Sequence, residues 1–124
     1  VEINKESGLY NPELIFGKLL TSSNYDDNEN RMTSGRNGLG SKATCVFSKE
    51  FSVKLFDPLT GHQYVQTWKN NMSEKTEPKI TSPKQKNGYT QISFIPDYQK
   101  FGVDTLSEDM KSLFFKNIII FFLK

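Results

Sequence analysis

Two residue types that often decide function are scarce in this chain. Cys45 is the one cysteine among 124 residues, which excludes a disulfide within the chain and fits a reducing compartment. Arginine occurs twice, as Arg31 and Arg36, against fourteen lysines. Because the planar guanidinium is well suited to binding phosphate, Arg36 is a candidate phosphate ligand within its glycine-rich stretch.

Charge of one sign and long apolar runs are also missing. The net charge of +2 is too small to indicate nucleic acid or a membrane surface. No apolar run approaches the roughly 20 residues that a membrane-spanning helix needs, so no membrane partner is expected. The first ten residues contain neither an initiator methionine nor the apolar run of a signal peptide. We therefore expect a piece of a longer protein, with ten Phe, five Tyr and one Trp to form its core.

Three helices are predicted from capping residues and apolar periodicity. In the first, "YNPELIFGKLL", Asn11 is the expected N-cap, Pro12 the first helical residue, and Glu13 an acidic residue that favours the helix dipole. The second is short and opens on glycines at Gly40. The third, "LSEDMKSLFFK", has Ser107 as its predicted cap.

Four strands are predicted between the second and third helices. Phe51, Val53 and Leu55 alternate with polar residues, which indicates a strand with one buried face. The strand segments are "EFSVKLF", "HQYVQTWKN", "PKITS" and "YTQISFI". This order of elements predicts an α+β fold, a two-layer α/β sandwich with a mixed β-sheet and helices on one face.

The end of the chain differs from the rest in composition. "NIIIFFL" holds six bulky apolar residues in a row and would promote aggregation if it were exposed. One interpretation is a buried strand or helix end. The other is a tail that does not belong to the fold, and we accordingly divide the chain into a domain at 1–116 and an atypical apolar tail at 117–124.

The stretch "SGRNGLGSK" holds three glycines and ends in a lysine. A P-loop requires lysine directly after glycine and a hydroxyl directly after lysine. Here Ser41 separates Gly40 from Lys42, and alanine follows, so a P-loop is excluded. The spacing of small residues also fits a dinucleotide-binding fingerprint, but that motif must follow a buried strand. The ten residues before these glycines are predicted as a polar loop rather than a strand, so this motif is rejected too.

A third pattern, with glycines at Gly35, Gly38 and Gly40 followed by Lys42, fits better. Glycines let the backbone approach a ligand closely, and the N–H groups that open a helix attract an anion. Lys42 would add a compact positive charge. A glycine-rich surface turn without a ligand is the alternative. The hydroxyl-rich "TSSN" upstream favours the phosphate interpretation.

Four segments in order, "LIFGKLLTSSNYDD", "GRNGLGSK", "QTWKNNM" and "YTQISFIPD", resemble the ATPase domain of eukaryotic type II DNA topoisomerases. That domain belongs to the superfamily of DNA gyrase B, the histidine kinases, the MutL proteins and a class of heat-shock chaperones. The resemblance spans about residues 1–115. It implies a Bergerat-type fold that binds ATP with Mg²⁺. It also implies a nuclear, homodimeric parent enzyme in which ATP drives DNA strand passage.

The resemblance also implies which residues bind ATP. A first group, at 22–24, matches the family's contacts to ribose and phosphates. The backbone N–H groups of residues 38–41 match the loop that holds the β- and γ-phosphates, and Lys42 matches the loop lysine. Thr90 matches the threonine at the base end of the pocket. The complete set is Ser22, Ser23, Asn24, Arg36, Asn37, Gly38, Leu39, Gly40, Ser41, Lys42 and Thr90. Leu39 replaces a usual tyrosine and Ser34 a glycine, but both keep their backbone donors.

Three parts of the family's site do not occur in this sequence. The glutamate that activates water, the asparagine that binds Mg²⁺ and the Asp-x-Gly-x-Gly segment that reads adenine all lie upstream of the position matching Val1. We therefore predict no catalytic residue and no metal ligand in this chain, and no ATP hydrolysis by the chain alone. The alternative function is a non-catalytic nucleotide-binding or interaction module with the same fold.

Overall fold

A computed structural model of the protein describes residues 1–18 and 39–122, with side chains as far as Lys116. The described helices are α1 (Asn11–Gly17), α2 (Leu39–Val46) and α3 (Glu108–Phe122). The strands are β1 (Ser48–Asp57), β2 (His62–Lys69), β3 (Glu74–Lys75), β4 (Lys79–Thr81) and β5 (Tyr89–Pro96), and a 3-10 helix follows at Tyr98–Phe101.

The strands form one sheet in the order β3-β2-β1-β5, with β4 pairing beside β3 along the outer edge of β2. Each strand pair in the described residues is antiparallel. Gly61 closes the β1–β2 hairpin, because its φ of 68° suits glycine and its N–H donates to the Asp57 carbonyl at 2.9 Å. The α+β class and the predicted turn are confirmed.

The core lies between one face of this sheet and helices α1 and α2. The Phe51 ring, 1% exposed, lies 6.0 Å from the ring of Trp68 on β2 and 6.2 Å from that of Phe16 on α1. Cys45 of α2 and Val53 of β1 complete the cluster. Burying one such Phe side chain fully is worth about 1.5–3 kcal/mol. The predicted alternation along β1 is thus confirmed, and Trp68 and Cys45 are core residues as expected.

Helix α1 begins and ends earlier than the sequence predicts. Tyr10 is the N-cap and Asn11 the first helical residue, without a side-chain capping hydrogen bond. The start of the helix is fixed by a backbone contact instead, since the Asn11 N–H donates to the Glu2 carbonyl at 2.8 Å. The helix ends at Gly17, and Lys18 is extended.

Helix α3 begins as predicted, because the Ser107 hydroxyl accepts a hydrogen bond from the Met110 N–H at 3.2 Å. Its described side chains, up to Lys116, are exposed, and Phe115 remains 67% exposed. The backbone stays helical through residues 117–122. The assignment of 117–124 as a tail outside the fold stays a prediction. No helix in the described ranges is long and apolar enough to cross a bilayer.

Candidate nucleotide-binding site

The structure describes five of the eleven predicted ATP-site residues. Leu39, Gly40, Ser41, Lys42 and Thr90 lie in its described ranges. The remaining predicted residues lie outside them: Ser22, Ser23, Asn24, Arg36, Asn37 and Gly38.

The first residues of α2 are exposed. Leu39 is 44% exposed and Gly40 is exposed, while Ser41 is half-buried. A Cβ placed on Gly40 would meet no atom of the described residues within 4 Å, so these residues leave space beside this turn. The first four N–H groups of a helix have no intrahelical acceptor, and the dipole makes them attractive to an anion. This turn is therefore chemically suited to phosphate.

Lys42 occupies an unusual position for a lysine. It is 1% exposed, and it lies three residues before Cys45, so both side chains project from the core-facing side of α2. Burial lowers the pKa of Lys42 below its ordinary value. A cation in the first turn of a helix also opposes the helix dipole. Burial and position therefore both disfavour the ammonium, and a bound polyanion would favour it.

Thr90 lies on the same sheet face as the core but further along the strands. It pairs with Leu55, whereas Cys45 of α2 clusters with Phe51 and Val53. Four residues of an antiparallel strand span about 13 Å. The level of Thr90 thus lies two residues from that of Val53 and four from that of Phe51, about 7–13 Å along the sheet.

A cleft of about 710 Å³ opens next to Thr90, between α1 and the ends of β1 and β5. Its lining includes Asn11, Ile15, Leu55 and Thr90. None of residues 39–42 lines it. Among the described residues, the structure therefore places Thr90 and Lys42 on one side of the sheet without bringing them into one cavity.

The sheet face beside α2 is only partly covered by the described residues. Ile92 and Phe94 follow Thr90 on the same face of β5, opposite Val53 and Phe51 of β1. Ile92 is nevertheless 41% exposed and Phe94 50% exposed. The described elements thus leave two large apolar side chains open to solvent next to the predicted phosphate-binding helix.

An ion pair between a buried carboxylate and a half-exposed lysine holds α1 to the outer edge of the sheet, and the sequence did not predict it. Glu13 is 5% exposed, and the Lys75 ammonium on β3 donates to its Oε1 at 2.6 Å. That hydrogen bond raises the pKa of Lys75. Burial and the Glu13 charge raise the pKa of Tyr64, whose hydroxyl donates to Gln66 Oε1. Nothing in the local sequence signals a partner for Glu13 that lies 62 residues away.

Metal ligands are not gathered in the part of the chain that the structure describes. Within those ranges, no group of three or more His, Cys, Asp or Glu side chains lies close enough together to hold a metal ion.

No protein-family model matches the chain. DNA topoisomerase 2 of Candida glabrata is 51% identical over 110 residues, which cover 89% of this chain and 8% of that protein. DNA topoisomerase 2 of Plasmodium falciparum is 47% identical over 118 residues, covering 95% of this chain and again 8% of the relative. The crystal structure of the ATPase region of Saccharomyces cerevisiae topoisomerase II has a TM-score of 0.86 at 48% identity over 91% of this chain.

This chain corresponds to a segment of the ATPase region of type II DNA topoisomerases. It covers 30% of the Saccharomyces cerevisiae ATPase-region structure and 28% of the Balamuthia mandrillaris structure of the ATPase and transducer domains, which has a TM-score of 0.77. The family resemblance and the fold class predicted from the sequence are both confirmed. The topoisomerase II segment spans about 8% of the length of the curated relatives it matches.

Proposed function

We propose that this segment supplies the phosphate-binding part of an ATP site in a type II DNA topoisomerase. The observation that carries the proposal is the buried Lys42 in the first turn of α2. Lys42 follows the exposed residues Leu39 and Gly40 in that turn, so its ammonium would add positive charge next to a polyphosphate bound there. The N–H groups of residues 39–41, at the start of the helix, provide the hydrogen-bond donors next to that charge.

The other predicted contacts belong to the same proposal. Thr90 would lie at the base end, on the same sheet face as α2. Residues 22–24 and 36–38 are proposed on the family resemblance, because they lie outside the described residues. Mg²⁺, when bound, would offset phosphate charge, and its protein ligand would come from a segment outside this chain.

Completion of the site requires a further element. In the family's order, the water-activating glutamate and the metal-binding asparagine precede the position that matches Val1. The exposed Ile92 and Phe94 support the proposal that another segment of the ATPase region packs on this sheet face. We therefore expect no ATP hydrolysis by the 124-residue chain alone. In the parent protein, we propose ATP-dependent dimerisation, DNA strand passage and a nuclear location.

The test compares two proteins. One is the 124-residue chain, and the other is that chain joined to the upstream segment of the Saccharomyces cerevisiae ATPase region. Titration with a fluorescent, non-hydrolysable ATP analogue and Mg²⁺ should give weak binding by the first and tight binding by the second. Lys42→Ala should weaken binding by about 30-fold, since a hydrogen bond to a charged group is worth about 2 kcal/mol.

Lys54→Ala is the matched control, because Lys54 is exposed on the opposite face of β1. Equal binding by Lys42→Ala and Lys54→Ala would refute the proposed role of Lys42. Tight analogue binding without any hydrolysis in the completed protein would instead favour the non-catalytic module. Hydrolysis that requires the added segment would support the enzyme.

The pH dependence gives an independent check. Before binding, the pKa of Lys42 is lowered from 10.5, and bound phosphate should raise it again. Affinity for the ATP analogue should therefore be highest at pH values below the pKa of Lys42 in the free protein. It should fall as the pH rises towards the pKa of Lys42 in the complex. The fall should begin below pH 10.5 and should be absent in Lys42→Arg, whose guanidinium stays charged. A fall of equal size in Lys42→Arg would contradict the assignment.

A further inference from the structure

The turn between β2 and β3 has an unusual backbone. Asn70, Asn71 and Met72 are three consecutive non-glycine residues with positive φ, at 50°, 57° and 67°. Non-glycine residues rarely adopt this left-handed conformation, although asparagine tolerates it better than most. Met72 packs against the core cluster. Tertiary contacts therefore hold the turn in a shape that its backbone alone does not favour.

Asn71 connects this turn to the end of α2. Its Nδ2 donates to the carbonyl of Val46 at 2.9 Å, and its backbone N–H donates to the carbonyl of Ser48 at 2.9 Å. Val46 is the last residue of α2, so its carbonyl has no donor within the helix. The Ser48 hydroxyl donates to the Thr44 carbonyl at 2.5 Å. Side chains from outside the helix thus satisfy two carbonyls of its last turn.

A buried carboxylate secures the same junction from the other side. Asp97, after β5, is 2% exposed, and its N–H donates to the Phe47 carbonyl at 2.8 Å. Lys49 lies 3.3 Å from Oδ2 of Asp97. Burial would raise the pKa of Asp97, but the Asn71 amide and the Lys49 ammonium outweigh it and lower that pKa. Asn71 therefore lies where the end of α2, the start of β1 and the end of β5 meet.

Asn70 provides a natural comparison. It has the same left-handed backbone, and its N–H donates to the Lys49 carbonyl at 2.9 Å. Its side chain, however, donates to exposed Glu74 at 2.7 Å, and among the described residues it makes no hydrogen bond to α2. Neighbouring asparagines in one turn thus differ in whether the side-chain amide holds the helix.

We propose that Asn71 is a positioning residue, which holds α2 from its C-terminal end and thereby fixes its first turn. An eight-residue helix is about 12 Å long, so little more than two turns separate its C-terminal end from its first residues. Loosening Val46 therefore displaces the N–H groups of residues 39–41 and the Lys42 ammonium. The part of this inference that concerns phosphate rests on the proposed function, whereas the hold on α2 does not.

The first experiment measures amide hydrogen exchange in the full 124-residue chain. Asn71→Gly removes the amide and also relieves the positive φ, so the variant keeps a favourable turn. Asn70→Gly relieves the same strain and leaves the Asn71 amide in place. Exchange of the α2 amides should rise about tenfold in Asn71→Gly and stay unchanged in Asn70→Gly, because one hydrogen bond is worth about 1 kcal/mol or slightly more. Equal exchange of the α2 amides in the two variants overturns the proposal.

The second experiment uses the completed ATPase region and separates positioning from general destabilisation. Asn71→Gly should weaken binding of the ATP analogue about tenfold and binding of ADP less than threefold, since the first turn of α2 is proposed to hold the terminal phosphates. If Asn71→Gly weakens binding of the ATP analogue and of ADP equally, or weakens neither, the proposed effect of Asn71 on phosphate binding is overturned. If the completed region carrying the unaltered chain binds neither nucleotide, the proposed function fails, and the exchange result alone decides the role of Asn71 in holding α2.

Discussion

Two phenylalanines that face each other across a strand pair should differ sharply in their contribution to stability. Phe51 on β1 and Phe94 on β5 are direct partners on the core-facing side of the sheet. Phe51 is 1% exposed, while Phe94 is 50% exposed. The two residues are of the same type and lie on the same sheet face. Truncating each to alanine therefore isolates the effect of burial on the free energy of unfolding.

The expected magnitudes follow from burial. Phe51→Ala removes a ring packed against Trp68 and Phe16 and leaves a closed cavity, at a cost of about 3–5 kcal/mol. Phe94→Ala removes a ring that is still half in water and leaves no closed cavity, so about 1 kcal/mol is expected. Since small domains have about 5–15 kcal/mol of total stability, Phe51→Leu serves as a milder variant.

Urea denaturation, followed by the fluorescence of Trp68, measures both changes. Trp68 is the one tryptophan and lies in the core, so it reports on the relevant packing. In the 124-residue chain, the free energy of unfolding should fall far more for Phe51→Ala than for Phe94→Ala. In the ATPase region completed by the upstream segment, the cost of Phe94→Ala should rise by about 1–2 kcal/mol, because the ring becomes covered.

Equal costs for the two alanine variants in the 124-residue chain would refute the packing described for this face. An unchanged cost of Phe94→Ala in the completed region would show that the added segment packs elsewhere. The proposal that this sheet face is covered in the whole protein would then be wrong.

Three further perturbations test packing and charge. Gly17→Ala should lower the melting temperature despite its gain in helix propensity, because the new Cβ would lie 3.0 Å from the buried ring of Trp68. Cys45 should react slowly with a thiol reagent at pH 8, since burial raises its pKa to about 11. Lys75→Met should lower the free energy of unfolding by about 1–2 kcal/mol, as it leaves the Glu13 carboxylate buried without its ammonium partner. Lys75→Met with Glu13→Gln should recover part of that loss.

Each of these has a direct control. The Cβ added by Gly40→Ala meets no atom within 4 Å in the ranges that the structure describes, so a melting temperature lowered as much as by Gly17→Ala would contradict the steric explanation. Cys45 should react quickly in denaturant, and fast reaction in the folded chain would contradict its burial. A double variant at positions 13 and 75 that is no more stable than Lys75→Met would show that the ion pair does not determine the loss.

Local patterns in the sequence predicted most of the elements. The alternation around Phe51 and Val53 predicted β1, Gly61 predicted the turn after it, and Ser107 predicted the start of α3. These features depend on interactions within a few residues, such as a positive φ, a capping hydroxyl or a two-residue repeat. The entry of α1 was misplaced by one residue, because a contact with Glu2 rather than a side-chain cap of Asn11 sets it.

The sequence by itself determined the glycine-rich motif, its lysine and the family to which they point, because a motif is a matter of residue types at fixed spacing. Tertiary structure alone decided that Lys42 is buried, that Glu13 pairs with Lys75, and that the Asn71 amide holds the end of α2. Burial and pairing depend on which distant segments pack together, and no local pattern specifies a partner far along the chain. The same reason explains why Phe51 and Phe94, alike in type and register, differ so widely in exposure.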